Sequence, residues 1–158
     1  MNVYVYDPYV EKEKVKISGA IPVDNISENL PKMDAVTLHC PKNDETTDLF
    51  TKQEFDLMKK SSFVINCARG GILNEEDLHE ALTNNKIAGA GLDVFDVEPT
   101  PSSNPLFKLN NVILSPHIAG VTVESTIRMA TETVQNVLDV LDDKINQSVV
   151  VNNKEIGM

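Results

Sequence analysis

The sequence predicts an α/β fold built on a parallel sheet. Short β-branched or apolar segments alternate with segments that carry helix start signals, and this alternation favours parallel strands joined by right-handed crossovers. Several strands are apolar throughout, as expected of parallel strands covered on both faces. The predicted strands lie at about 2–6, 20–23, 34–39, 62–67, 87–93 and 112–115.

Two helix starts and one long helix are indicated between and after these strands. Thr51 is followed three positions later by Glu54, and Asn74 by Asp77, and both spacings resemble a capping box. A final helix is predicted from about residue 122 to 143. Its apolar stripe, at three- and four-residue spacing, consists of Val123, Ile127, Ala130, Val134, Val137, Leu138 and Leu141.

Composition narrows the class of protein. The 158 residues include 24 acidic and 14 basic side chains, a formal charge of −10 that disfavours nucleic acid as a partner. No apolar run approaches the roughly 20 residues that span a bilayer, so no membrane partner is expected. The two cysteines, Cys40 and Cys67, have neither disulfide-framework nor metal-ligand spacing, and they suit a reducing cytoplasm.

Polar or unusual residues follow five of the predicted strands. Open parallel sheets bind ligands at the carboxyl ends of their strands, so these positions predict a site along one rim of the sheet. The residues concerned are Asp7, His39, Cys40, Pro41, the run Cys67 to Gly71, Asp93, Pro116 and His117.

Arg69 is one of only two arginines, and it ends an apolar strand just before Gly70 and Gly71. A guanidinium grips a carboxylate with two parallel donors, and the glycines allow a sharp turn or the close approach of a ligand. The alternative is a surface arginine at a strand end.

Three further residues, His117, Glu98 and Asp7, each have a functional and a structural interpretation. His117 is a candidate acid/base or a structural histidine. His39 is a weaker candidate, because it could point into the sheet. Glu98, in a proline-containing loop at 94–111, either orients an imidazole and favours its charged form or is a solvated acid. Asp7 either binds ribose hydroxyls or forms a turn before Pro8.

Five sequence strings together resemble the D-isomer-specific 2-hydroxyacid dehydrogenase family. The resemblance covers about residues 1–150, in the order and spacing of the family, and is closest to the phosphoglycerate and hydroxypyruvate/glyoxylate reductase branch. The strings are VYDPYV (5–10), LHCPKNDETTDLF (38–50), VINCARGGILNEEDLHEAL (64–82), AGAGLDVFDVEP (88–99) and NVILSPHIAG (111–120).

The resemblance implies a Rossmann-like doubly wound parallel sheet, NAD as cofactor and hydride transfer to C2 of a small 2-oxo acid. It implies that Arg69 binds the substrate carboxylate, that His117 is the acid/base, and that Glu98 orients this histidine. Asp7 resembles the ribose-binding acid, and Asp93 resembles the acid near the nicotinamide carboxamide. The full set implied to contact cofactor is Asp7, Cys40, Pro41, Cys67, Ala68, Arg69, Asp93, His117 and Gly120.

One part of the family pattern is missing. The 158 residues contain no G-x-G-x-x-G turn, which in the family follows a first strand and binds the pyrophosphate. We therefore expect a truncated sheet, with residues 1–145 a partial dinucleotide-binding domain and 146–158 a return segment toward a substrate domain. We also expect the chain alone to have little or no activity.

The resemblance implies a small 2-oxo or 2-hydroxy acid as the substrate. Because the family is typically dimeric, the expected protein partner is a second copy of the chain, or else a complementing N-terminal half. Two alternatives remain open from the sequence. One is a split dehydrogenase of which this chain is one half, and the other is a non-catalytic module that binds a dinucleotide or a partner. A pure binder has no need for Arg69, Glu98 and His117 together, which favours an enzyme.

Overall fold

The computed structural model describes residues 1–152 and 155, so part of the predicted return segment at 146–158 lies outside the described residues. The chain divides into two compact units, Met1–His117 and Ile118–Met158. All the predicted strands belong to the first unit, and the predicted final helix belongs to the second.

The six predicted strands are confirmed, each with shorter bounds than the sequence indicated. They pair in parallel as two sheets, one of two strands (β1-β2) and one of four (β3-β4-β5-β6). Among the described residues, β1 and β2 pair only with each other, and β3 and β6 are the outer strands of the larger sheet. The strands are β1 Tyr4–Val5, β2 Ile21–Pro22, β3 Ala35–Leu38, β4 Phe63–Asn66, β5 Gly89–Leu92 and β6 Val112–Leu114.

Three α-helices connect the strands of the first unit. The capping box at Thr51 is confirmed, and the Thr51 N–H donates to the Glu54 carboxylate at 3.0 Å. At Asn74 only half of the pattern forms: the Asp77 N–H donates to Asn74 Oδ1 at 3.1 Å, but the Asn74 N–H donates to the Phe50 carbonyl instead of to Asp77. The helices are α1 Lys12–Ile17, α2 Lys52–Leu57 and α3 Glu75–Thr83. The sequence analysis did not predict α1, which is short and mostly charged.

The hydrophobic core of the first unit joins the four-stranded sheet to α2 and α3. Phe55 of α2 and Leu78 and Leu82 of α3 are at most 2% exposed, and they belong to one buried cluster with Val64 of β4 and Leu92 of β5. This packing fixes β4 and β5, so the loops that follow these two strands start from rigid positions.

In the second unit, α4 spans Val123–Leu141, and its N-cap is Thr122, whose hydroxyl accepts the Ser125 N–H at 3.1 Å. The predicted helix is confirmed. None of its residues is buried, so its apolar stripe lies exposed. No helix in the described part of the chain is both long and apolar enough to cross a bilayer.

Candidate active site

The carboxyl ends of β3, β4 and β5 surround a cleft of about 690 Å³ in the first unit. A volume of this size falls in the range typical of small-molecule sites. The residues that line it are His39, Cys40, Pro41, Lys42, Ala68, Arg69, Gly70, Phe95, Asp96, Glu98 and His117. The rim that the sequence predicted is therefore a real concave surface.

Arg69 lies on a tight turn directly after β4. The Asn66 side chain closes this turn, since its Oδ1 accepts the Ala68 N–H at 3.0 Å and its Nδ2 donates to the Arg69 carbonyl at 2.9 Å. The Arg69 guanidinium is exposed and donates through Nη1 to the Ala68 carbonyl at 2.6 Å. The guanidinium thus lies on the cleft wall rather than in the core.

His117 and Glu98 form a hydrogen-bonded pair in the cleft. Nδ1 of His117 is 2.7 Å from Oε2 of Glu98, and the other carboxylate oxygen accepts the Phe95 N–H at 2.9 Å. The bond from His117, and after it the bond from Phe95, lowers the pKa of Glu98 below its ordinary value. Because the carboxylate is ionised at neutral pH, Nδ1 carries the shared hydrogen, and Nε2 is the nitrogen that can exchange a proton with a ligand.

The backbone at His117 has a φ of 55°, in the left-handed region that side chains other than glycine seldom adopt. The His117 N–H donates to the Asp93 carbonyl at 2.8 Å, which holds this conformation in place. Unfavourable backbone conformations of this kind persist where neighbouring contacts fix them, and they are concentrated at functional sites. The ring of His117 is thereby held against Glu98 from both the main chain and the side chain.

Gly70 brings the loop that carries Glu98 against the turn that carries Arg69. A Cβ at residue 70 would lie 1.8 Å from the Phe95 carbonyl oxygen, so no other residue fits without moving one of the two segments. This close contact depends on glycine at residue 70. The contact brings the Arg69 guanidinium and the His117–Glu98 pair to the same cleft.

Asp93 is 2% exposed at the end of β5 and does not line the cleft. Its Oδ1 accepts the Ser115 hydroxyl hydrogen at 2.5 Å, and its N–H donates to the Asn66 carbonyl at 3.0 Å. The residue therefore ties the ends of β4, β5 and β6 together.

Besides Asp93, three other predicted site residues lie outside the larger cleft. Asp7 lines a separate cavity of about 200 Å³ at the ends of β1 and β2, and its Oδ1 accepts the Tyr9 N–H at 2.9 Å, as in a turn. Cys67 is exposed but does not line the larger cleft. Gly120 belongs to the second unit.

His39 and Gly70, which the sequence placed at the predicted rim, also line the cleft. His39 does not point into the sheet, the alternative that the sequence left open, because it is exposed, with Nε2 2.9 Å from the Thr37 hydroxyl. Lys42, Phe95 and Asp96 were not predicted as functional, and they complete the wall. Their position beside predicted residues in the same loops was the only available signal.

Two ionisable groups in the cleft have pKa values shifted mainly by burial. Burial raises the pKa of the Cys40 thiol, and it raises that of Asp96, with the nearby Glu75 carboxylate adding to the effect. Among the described residues, no group of three or more histidine, cysteine or acidic side chains could hold a metal ion.

Comparison with known protein families identifies the family of this chain. Residues 1–119 match the model of the D-isomer specific 2-hydroxyacid dehydrogenase, NAD binding domain. The chain belongs to this family. The matched region contains the whole larger cleft and both members of the His117–Glu98 pair.

Relatives of this NAD-binding domain include two curated enzymes and a solved structure. The chain is 40% identical over 150 residues to D-3-phosphoglycerate dehydrogenase of Methanocaldococcus jannaschii, covering 95% of this chain and 28% of the relative. It is 42% identical over 127 residues to glyoxylate reductase of Thermofilum pendens, covering 80% and 37%. D-lactate dehydrogenase from Aquifex aeolicus, complexed with NAD and lactic acid, superposes with a TM-score of 0.81 at 31% identity, covering 91% and 47%.

The chain thus spans between about a quarter and a half of the length of these relatives. The predicted branch of the family is confirmed by the phosphoglycerate dehydrogenase and glyoxylate reductase relatives. The Rossmann-like α/β fold is confirmed by the parallel sheets and by the solved dehydrogenase structures.

NAD is the cofactor of this family of domains, and the cleft fits the nicotinamide end of such a molecule. The cleft of about 690 Å³ carries the positive charges of Arg69 and Lys42 beside the apolar side chains of Pro41 and Phe95. This lining offers donors for the anionic groups of a dinucleotide and apolar surface for its rings. The residues present are compatible with the cofactor.

Proposed function

We propose that this domain takes part in NAD-dependent interconversion of a small 2-oxo acid and its 2-hydroxy acid. His117 and Glu98 act as the acid/base pair, and Arg69 binds the substrate carboxylate. The single observation that carries the proposal is the 2.7 Å contact between His117 Nδ1 and Glu98 Oε2 in the cleft that Arg69 also lines. Glyoxylate and hydroxypyruvate are the substrates to test first, in view of the glyoxylate reductase relative.

The division of labour follows from the chemistry of each group. NADH supplies the hydride that adds to C2 of the oxo acid. Nε2 of His117 gives a proton to the developing alkoxide, and in the reverse direction it takes the proton from the hydroxyl. Glu98 fixes the tautomer and stabilises the imidazolium, while the two-pronged guanidinium of Arg69 orients the acid.

The remaining cofactor contacts are proposed from the resemblance together with their position. Cys40, Pro41 and Ala68 line the cleft, and Asp7 lines the smaller cavity in which a carboxylate can accept ribose hydroxyl hydrogens. For Cys67, Asp93 and Gly120 the proposed contact rests on the resemblance alone.

The proposal extends to the domain organisation of the chain, its partner and its location in the cell. We propose that residues 1–145 form part of a dinucleotide-binding domain and that 146–158 lead toward a substrate domain. The proposed partner is a second copy in a homodimer, or an N-terminal half whose glycine-rich turn completes the site. The two cysteines are free thiols, which suits the cytoplasm.

We propose low turnover for the 158 residues alone, because the sequence has no glycine-rich turn to bind the pyrophosphate. The test is therefore a single-turnover reaction with the chain in excess over NADH, mixed with glyoxylate or hydroxypyruvate. We expect slow oxidation of NADH that falls by a factor of about 10² or more in His117→Ala, since general acid–base catalysis contributes 10²–10⁴.

Arg69→Lys separates the carboxylate-binding role from charge alone. Lysine keeps the positive charge but loses the two-pronged geometry, so the glyoxylate concentration for half-maximal rate should rise. Equal rates in wild type and His117→Ala would contradict the proposed chemistry. Steady-state turnover comparable to that of the full-length glyoxylate reductase would contradict the low activity.

A further inference from the structure

Asn66 is an unusual residue for the end of a buried strand. It is 1% exposed, although asparagine is mostly found at the surface, and both polar atoms of its side chain bond to the turn that follows. Asn66 does not line the cleft, so any role in binding must act through its neighbours.

The planar amide of Asn66 fixes two peptide groups at once. It accepts the Ala68 N–H at 3.0 Å and donates to the Arg69 carbonyl at 2.9 Å. The Ala68 carbonyl lies between these two held groups, and it accepts the Arg69 Nη1–H at 2.6 Å. The orientation of the guanidinium is thus set by a chain of three hydrogen bonds that starts at Asn66.

The main chain of Asn66 is also tied to the acid–base pair. Its carbonyl accepts the Asp93 N–H at 3.0 Å, and the Asp93 carbonyl accepts the His117 N–H at 2.8 Å. Hydrogen bonds therefore connect Asn66 both to the turn that carries Arg69 and, through Asp93, to the backbone of His117.

We propose that Asn66 is a positioning residue that sets the orientation of Arg69 for the carboxylate of a 2-oxo acid. The proposal rests on the proposed function, in which Arg69 binds that carboxylate. Only asparagine offers an acceptor and a donor at this reach. Aspartate of the same shape has no donor for the Arg69 carbonyl, and serine is too short to bond both groups.

The test measures Arg69 directly and does not require turnover. Phenylglyoxal modifies arginine, and the chain has two arginines, Arg69 and Arg128, which peptide mapping distinguishes. Oxamate, a stable analogue of a 2-oxo acid, is added with NADH, and the concentration that halves the modification of Arg69 is measured. Arg128, on α4, serves as the internal reference.

Two variants and a matched control are compared with wild type. In Asn66→Asp and Asn66→Ser the oxamate concentration for half-protection of Arg69 should rise about tenfold or more, because a misplaced binding group loses most of its effect. The control is Ser62→Ala. Ser62 directly precedes the first residue of β4, at the opposite end of the strand from Asn66. It is 0% exposed, and its hydroxyl donates to the Met33 carbonyl at 2.6 Å. This variant loses a buried hydrogen bond, but its half-protection should equal that of wild type.

The outcomes are distinct. If Asn66→Ser folds and keeps the wild-type half-protection concentration, the positioning role is wrong while the proposed function stands. The same conclusion follows if Ser62→Ala shows an equal loss, since a general structural effect would then be sufficient. If oxamate fails to protect Arg69 in wild type, the carboxylate-binding role of Arg69 is wrong, and the positioning role of Asn66, which depends on it, is wrong as well.

A second measurement needs no variant. In nitrogen-15 NMR spectra of the wild-type chain with NADH, the side-chain amide signals of Asn66 should shift when oxamate is added, because Nδ2 is bonded to the residue that binds it. Protection of Arg69 without any shift at Asn66 would overturn the proposal.

Discussion

Glu98 uses both carboxylate oxygens to hold His117 and its own loop: Oε2 is 2.7 Å from His117 Nδ1, and Oε1 accepts the Phe95 N–H at 2.9 Å. The second bond prevents the carboxylate from rotating away from the ring. The pair therefore has a fixed geometry although the histidine and glutamate side chains are 47% and 35% exposed. Its chemical importance can be separated from its effect on stability by the variants below.

Glu98→Gln removes the charge of the pair and keeps the shape of the side chain. A neutral partner stabilises the imidazolium less, so single-turnover NADH oxidation should fall by roughly a hundredfold, at the lower end of what acid–base catalysis contributes. Glu76→Gln is the control, because Glu76 is an exposed carboxylate on α3. A rate in Glu98→Gln that matches this control would contradict the role of Glu98.

The same variant should change how stability depends on pH. The pKa of Glu98 is lowered in the folded protein, first by the bond from His117 and then by the bond from Phe95. Its contribution is therefore fully present above the ordinary value of 4.5 and is lost as the pH falls through the lowered value. Urea unfolding should show a larger difference between wild type and Glu98→Gln at pH 6 than at pH 3; equal differences would contradict the shift.

Gly70→Ala should destabilise the first unit. The new methyl group would meet the Phe95 carbonyl oxygen, so the loop must move, at a cost of about 1–3 kcal/mol, as in other overpacked sites. Gly91→Ala is the matched control, because a Cβ there makes only ordinary contacts with Ile65 at 3.8 Å. Denaturant unfolding measures both, and equal effects would show that the close contact at Gly70 is not what requires glycine.

The two cysteines should react at different rates. Cys67 is exposed, whereas Cys40 is partly buried and burial raises the pKa of its thiol, which lowers the fraction of reactive thiolate. A short pulse of iodoacetamide followed by peptide mapping should find Cys67 modified first. If Cys67 contacts the cofactor as proposed, NADH will slow its modification, and modification at the same rate with and without NADH would contradict that contact.

Local signals accounted for most of the fold. The apolar strands, the Thr51–Glu54 and Asn74–Asp77 caps and the long amphipathic helix were predicted correctly because each depends on residues close together in sequence. Helix α1 was not predicted, because six largely charged residues carry little periodic signal. Which strands would pair, and that they form two sheets, depends on contacts between distant residues.

The sequence by itself determined the chemical inventory: an arginine, a histidine and a glutamate, each on a segment that follows a strand, in strings that carry the family resemblance. Only the tertiary structure decided their geometry. Packing of β4 and β5 against α2 and α3 fixes the strand ends, Gly70 lets the loop of Glu98 approach the turn of Arg69, and the Asp93 carbonyl holds the backbone of His117. Residues 69, 98 and 117 come together because distant backbone groups bond to one another, and no local pattern encodes those bonds.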